Sequence, residues 1–315
     1  MLDIVGKRYW YFLLSLIIII PGTISLITVH LKLGTDFTGG TEITFSIPQK
    51  NYSPNITSLL TKSGYAVSYV QPVVSSNCPG DCQYLARIKA ITPAQYDSIK
   101  TLSQKTFGGN GAVSQQTVSG TIAAQLTQQA VIAVIVASVA ILLYISFAFR
   151  HAPHPFRFGT AAVIAMLHDV LVVLGIFSIL GAVANVEVDA PFVTAMLTII
   201  GFSVHDTIVI FDRIRENLSR RTGEAFETIV NHSILQSFER SINTSFTVVL
   251  ALLAVFLFTG QAIRFFVLAM LIGIISGTYS SIFNASQILV VWENHELRHL
   301  LRRGSESSTA KAATL

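Results

Sequence analysis

Apolar and polar positions divide this chain sharply: six long apolar stretches alternate with short basic segments and one long polar stretch. The apolar stretches are Tyr9 to Leu31, Ala124 to Phe149, Phe158 to Val183, Phe192 to Phe211, Ser241 to Gly260, and Phe265 to Trp292. A helix crossing a ~30 Å hydrocarbon core needs about 20 residues. Each stretch is long enough, so the pattern predicts six transmembrane helices. The first carries Lys7 and Arg8 in front of it, as a signal peptide would. Its length and the lack of an Ala-x-Ala-like site at its end point to an uncleaved anchor instead.

The polar stretch, residues 32–123, alternates like a small α+β domain. Strands are expected at Thr41 to Ile47, Tyr65 to Val74, Gln83 to Ala90 and Ala112 to Val118. Helices are expected at Ser53 to Ser63 and Thr92 to Phe107. Pro54 and Pro93 fall in the first helical turns, and Thr92 is placed to cap the second. The order β-α-β-β-α-β suggests a ferredoxin-like sandwich. Four parts are thus expected. They are residues 1–31 (N-terminus and first span), 32–123 (external domain), 124–292 (spans two to six) and 293–315, a polar tail ending in a disordered run from 304.

Composition sharpens the membrane reading. Hydrophobic residues make up 51% of the chain and charged residues 12%, against about 25% charged in soluble domains. The net charge of +4 comes from lysines and arginines near span ends, including Arg150, Arg157, Arg213, Arg215, Arg220, Arg221, Arg240, Arg298, Arg302 and Arg303. By the positive-inside rule both termini are cytoplasmic and residues 32–123 lie outside. The basic balance is topological rather than a sign of nucleic-acid binding. Cys78 and Cys82 are the only cysteines. They fall in a predicted external loop, where oxidation is permitted, and the sequence leaves open a disulfide or two thiols. Two such ligands without a nearby histidine do not make a metal site. No Ser-His-Asp set, phosphate loop or acid pair occurs in the external segment, so no enzymatic activity, cofactor or metal is expected. Its role is contact with another polypeptide.

The candidate chemistry lies inside the spans. His168 and Asp169 interrupt the third, and His205 and Asp206 the fourth. An acid near the bilayer centre costs about 2.5 to 3.5 kcal/mol on insertion scales, so such groups face a polar interior. Helical rise places the two pairs near a common layer. The alternatives are a neutral Asp206 or Asp169 bonded to a neighbouring helix, and histidines that only pack. Arg240 opens the fifth span, and two readings stand for it: one more interfacial arginine snorkelling to the surface, or a neighbour of a wet path lined by Ser241, Asn243, Thr244, Ser245 and Thr247. An arginine near Asp206 favours the carboxylate and desolvation favours the acid, so movement between the two environments loads and unloads a proton. Gly273 and Gly277 give the sixth span a small-xxx-small packing surface.

Several stretches together resemble the SecF branch of the SecD/SecF family of bacterial protein-export membrane proteins. They are "GTDFTGGTEI" at 34–43, "HDTIVIFDRIREN" at 205–217, "RSINTS" at 240–245 and "LIGIISGTYSSIF" at 271–283. Gly34, Asp36, Phe37, Gly39 and Gly40 carry the first signature. The resemblance implies a fold of the resistance-nodulation-division superfamily, with SecD supplying a related six-helix half. It also implies proton-driven function tied to Asp206 and Arg240 by motif position, with His205 standing where the family often has Asn. The implied partners are SecD, the SecYEG channel with SecA, unfolded preprotein, protons, and YajC as a further candidate, all at the bacterial inner membrane. Two other readings stand beside this one: a proton-coupled exporter of lipids or small molecules, and a non-conducting scaffold of the translocon.

Overall fold

The computed structural model describes residues 3–47, 53–72, 82–107, 111–150, 152, 154–221, 223–259 and 261–294. Among the described residues six helices are long and apolar enough to cross a membrane, spanning Val5–Thr28, Gly120–Ala148, Pro155–Ala184, Ala190–Arg220, Phe226–Phe258 and Ile263–Glu293. Within the first span, α1 covers Arg8–Thr28. A short helix, α2 (Thr35–Thr38), follows it, and then β1 (Gly40–Ile47), α3 (Ser53–Lys62), β2 (Val67–Pro72), β3 (Cys82–Ile88), α4 (Pro93–Phe107) and β4 (Gly111–Val118). The remaining spans are α5 (Gly120–Ala148), α6 (Pro155–Ala184), α7 (Ala190–Arg220), α8 (Phe226–Phe258) and α9 (Gln261–Ser280), the last continuing through a π-helical segment (Ser281–Ala285) into α10 (Ser286–Glu293).

The polar segment folds as a four-stranded antiparallel sheet in the order β2-β3-β1-β4. The central β1 alternates as a half-buried strand should: Ile43, Phe45 and Ile47 are fully buried, against Ile56 and Leu60 of α3 and Ile99 of α4. α4 starts with a capping box, since Thr92 N–H donates to Gln95 Oε1 at 2.8 Å while Gln95 N–H donates to Thr92 Oγ1 at 3.4 Å. Cys82 opens β3 and is disulfide-bonded; Cys78 and the rest of the expected hairpin loop lie outside the described residues, as do residues 295–315.

Two boundaries differ from the sequence pattern for a common reason. Charged residues end an apolar run without ending a helix, so α7 continues nine residues past Phe211, to Arg220, and α8 begins at Phe226 rather than Ser241. Arg240 therefore lies in mid-helix, well past the start of α8, rather than opening it. At the arginine-bearing end the helices are tied together. Ile4 and Val5 N–H groups donate to Asn231 Oδ1, Arg8 pairs with Glu227, and Arg157 pairs with Glu293.

Among the spans, α6, α7 and the α9–α10 helix form the centre, while α1, α5 and α8 expose most of their apolar side chains. Small residues set how closely they approach. A Cβ on Gly273 would lie 2.4 Å from Ile199 Cδ1, and one on Gly277 would lie 3.1 Å from Ser203 Cβ, so both glycines seat α9 against α7. A backbone-to-backbone approach joins α1 to α6, where a Cβ on Gly175 would lie 2.6 Å from Gly22 Cα. A side-chain neighbour such as Ile199 can turn away; a backbone atom cannot. Gly175→Ala is thus expected to cost about 2–3 kcal/mol through overpacking and Gly273→Ala distinctly less. Thermal unfolding in detergent checks the order, and equal melting temperatures would refute it.

Candidate functional site

The ionisable groups of the spans occupy two adjacent but different environments. Asp169, on α6, is 1% exposed and its carboxylate is surrounded by donors. Ser203 of α7 donates to Oδ2 at 2.6 Å, and Ser280 of α9 donates to the same oxygen at 2.6 Å. Ser276 of α9 donates to Oδ1 at 2.7 Å, and His168 Nδ1 stands 3.0 Å from that oxygen. One acid thus ties three helices together, at the level where Gly277 lets α9 come close: a Cβ there would lie 3.6 Å from Asp169 Oδ2. The network continues along α7, where Thr207 and Ser281 share a hydrogen bond of 2.8 Å and Ser281 donates to Ser203 O. The π-helical segment that begins at Ser281 belongs to the same layer, a common placement for such irregularities.

Asp206 lies on α7 three residues beyond Ser203, roughly 4.5 Å further along the helix axis. It is 6% exposed, and among the described residues its Oδ2 has no hydrogen-bond partner. Ser241 of α8 is close enough to act on that carboxyl, yet Ser241 Oγ is itself buried without a partner. The two groups are neighbours without a hydrogen bond of normal geometry between them. Arg240 and His205 also act on Asp206 electrostatically, although both side chains are exposed. Beside them a cleft of about 420 Å³ opens between α5, α7 and α8 and is lined by Asp212, Arg213, Arg215, Gln236, Ser237 and Arg240, among others. Arg213 is paired with Glu216 at 2.5 Å and Arg215 with Asp212 at 2.7 Å. Ser237 and Ser241 are one turn apart on the buried stripe of α8 that also holds Ser233 and Ser245.

His168 and Asp169 therefore belong to one network, while Asp206 stands apart from it, under the electrostatic influence of His205 and of Arg240, which lines the cleft. Of the five polar residues expected to line a path in the fifth span, Ser241 and Ser245 face inward. Asn243, Thr244 and Thr247 are exposed, because inward positions recur every fourth residue on this helix. Ser203, Ser276 and Ser280 were not anticipated: serines in apolar runs read as small packing residues, and the acid they serve lies on another helix.

The glycine-rich signature forms a second site, a joint at the opposite end of the helices. Gly34 N–H donates to Val188 O at 2.7 Å and Val188 N–H to Lys32 O at 2.8 Å, which fastens the chain leaving α1 to the α6–α7 connection. Asp36 accepts from Ala190 N–H at 2.9 Å and Asp189 from Phe192 N–H at 3.1 Å, so two carboxylates sit at the positive end of the α7 dipole. Phe37 packs with Val188 and Phe192. Gly39 and Gly40 have φ of +73° and +140°, conformations that favour glycine. Burial raises the Asp189 carboxyl above its ordinary value, and the nearby Asp36 and Glu42 add to the rise. Burial, with Arg87 beside it, lowers the Lys32 amine.

Comparison with known proteins bears on both sites. The family model "Protein export membrane protein SecD/SecF, C-terminal" matches residues 98–295, and "SecD/SecF GG Motif" matches residues 24–47, the span containing the joint signature. The chain is 49% identical to the protein translocase subunit SecF of Thermobaculum terrenum, over 98% of this chain and 100% of that one. It is 33% identical to the protein translocase subunit SecDF of Bacillus subtilis, over 94% of this chain and 39% of that one. Among solved structures it is similar to SecDF, a translocon-associated membrane protein from Thermus thermophilus, with a TM-score of 0.81 and 30% identity, covering 93% of this chain and 39% of that chain. The chain thus spans about two fifths of the fused SecDF proteins it matches.

Proposed function

The chain belongs to the SecD/SecF family of protein-export membrane proteins, a multi-pass subunit with a role in Sec export, and from that premise we propose that it uses the proton gradient to assist preprotein movement. In this reading a SecD subunit supplies the related six-helix half, the pair works beside SecYEG and SecA, and YajC accompanies it. Both termini lie in the cytoplasm and the βαββαβ unit, read as a ferredoxin-like domain, faces outward, where it meets emerging preprotein. The role is conformational rather than enzymatic.

The observation that carries the reading is the bare oxygen of Asp206, buried and without a partner beside the Arg240 cleft. A carboxyl so placed exchanges a proton with little rearrangement, whereas Asp169 would have to break several hydrogen bonds. The energy suffices. One charge moved through 100 mV is worth about 2.3 kcal/mol, and about 1.4 kcal/mol shifts an equilibrium tenfold. Isolation from native membranes is expected to bring down a SecD subunit in one-to-one amount with SecYEG, and vesicles holding the pair are expected to take up protons. Purification without a SecD, or vesicles that carry no proton current, would defeat the reading and favour a passive scaffold.

A further inference from the structure

The chain enters and leaves the βαββαβ unit at one place. Its two chain connections run side by side, since Gly40 of β1 pairs with Val118 of β4 and a Cβ on Gly39 would lie 3.3 Å from Gly120 at the start of α5. Two adjacent connections act as a pivot, and Gly39 and Gly40 there have the positive φ angles that glycine adopts without strain. Left to these alone, the unit would have no fixed angle to the helices.

Thr35 of α2 adds one tie, its Oγ1 hydroxyl donating to Glu42 Oε1 at 3.1 Å, and Arg87 adds a restraint that reaches the α6–α7 connection. It stands on β3, directly opposite Glu42 of β1, and its guanidinium forks: Nη2 pairs with Glu42 inside the sheet, while Nη1 reaches out to Glu187 in the α6–α7 connection. Both ends of the outward pair are largely buried, the Arg87 and Glu187 side chains being 10% and 11% exposed. Lys32 Nζ lies 3.7 Å from the other Glu187 oxygen and 3.1 Å from Asn185 Oδ1, holding Glu187 from the linker side. Four acids, Asp36, Glu42, Glu187 and Asp189, thus share this corner with two cations.

We propose that Arg87 is the positioning residue of this joint, a latch that fixes the angle of the βαββαβ unit to the α6–α7 hairpin and passes that hairpin's movement to the sheet. The hairpin carries both Asp169 and Asp206, so the latch connects the proton site to the outer unit; this clause rests on the proton-driven reading above. Geometry gives the latch leverage. Glu42 is two residues from the Gly40 pivot, roughly 7 Å, and Ile47 is seven residues away, roughly 23 Å at strand rise. A displacement of Glu187 is therefore amplified about threefold at the far end of β1. Arginine is required because its planar fork holds two carboxylates at fixed geometry, which a lysine ammonium does not.

The test uses the full chain with its native partner subunit in membrane vesicles, with bio-orthogonal spin labels at Thr106 on α4 and Ala184 at the end of α6. In de-energised vesicles the wild-type distance distribution is expected to be narrow. Arg87→Gln should broaden it, Arg87→Lys should broaden it partly, and Glu187→Gln, which leaves the sheet untouched, should match Arg87→Gln. The double variant should be no broader than either single one, and its loss of export stimulation, roughly tenfold as for coupled ion-pair partners, should equal theirs. Proton uptake should persist in all of them. A narrow wild-type-like distribution in both single variants, or effects that add in the double one, would overturn the latch. Because this arm needs no gradient, its result stands apart from the proton reading, which fails instead if the wild type takes up no protons.

Discussion

Asp206→Asn leaves the protein in the membrane at its wild-type level and removes the proton-dependent part of export stimulation. Asn fills the same volume and keeps a polar group beside Ser241, so α7 and α8 stay packed. What it lacks is the ability to change charge. The expected loss approaches roughly fiftyfold at 100 mV if one charge is moved through the whole potential, since that is worth about 2.3 kcal/mol, and is smaller in proportion if Asp206 samples only part of it. The assay is preprotein translocation into inverted vesicles with and without a gradient. Stimulation in the variant equal to wild type would remove Asp206 from the mechanism.

Asp169→Ala acts through stability rather than transport. It would leave the hydroxyls of Ser203, Ser276 and Ser280 and the ring of His168 without their shared acceptor. Each buried polar group left unsatisfied costs about 1–3 kcal/mol, so a loss of about 3 kcal/mol or more is expected. Asp169→Asn keeps one accepting oxygen and should lose less. Melting in detergent, or the level of folded protein in the membrane, reports both. A variant Asp169→Ala as stable as wild type would mean that the network does not hold α6, α7 and α9 together. The contrast between the two acids is the physical point: one is bonded into place, and the other is left with a bare oxygen.

How much of this was legible beforehand depends on whether the signal was local. The six spans and the β-α-β-β-α-β order are local patterns, and the element order follows from them, although α7 runs on to Arg220 and α8 begins already at Phe226. Asp169 and Asp206 were visible because an ionisable group in an apolar run stands out. Their difference was not, since it depends on serines of α7 and α9 that meet Asp169 only after packing. Gly22 and Gly175 are single glycines far apart in the chain, with no repeat to mark them, yet their backbones meet where α1 crosses α6. Arg87 and Glu187 are separated by 100 residues, and nothing near either one announces the other. Conversely, Asn243, Thr244 and Thr247 were legible and misleading: a polar cluster in sequence is split around a helix, and only every fourth position reaches the interior.

Infrared difference spectroscopy of the reconstituted pair, recorded between energised and de-energised vesicles, reaches the central claim most directly. The account predicts a protonated-carboxyl band that appears or disappears with the gradient and is absent in Asp206→Asn while persisting in Asp169→Asn. A spectrum in which no carboxyl band responds to the gradient, or in which the responding band survives in Asp206→Asn, would contradict it.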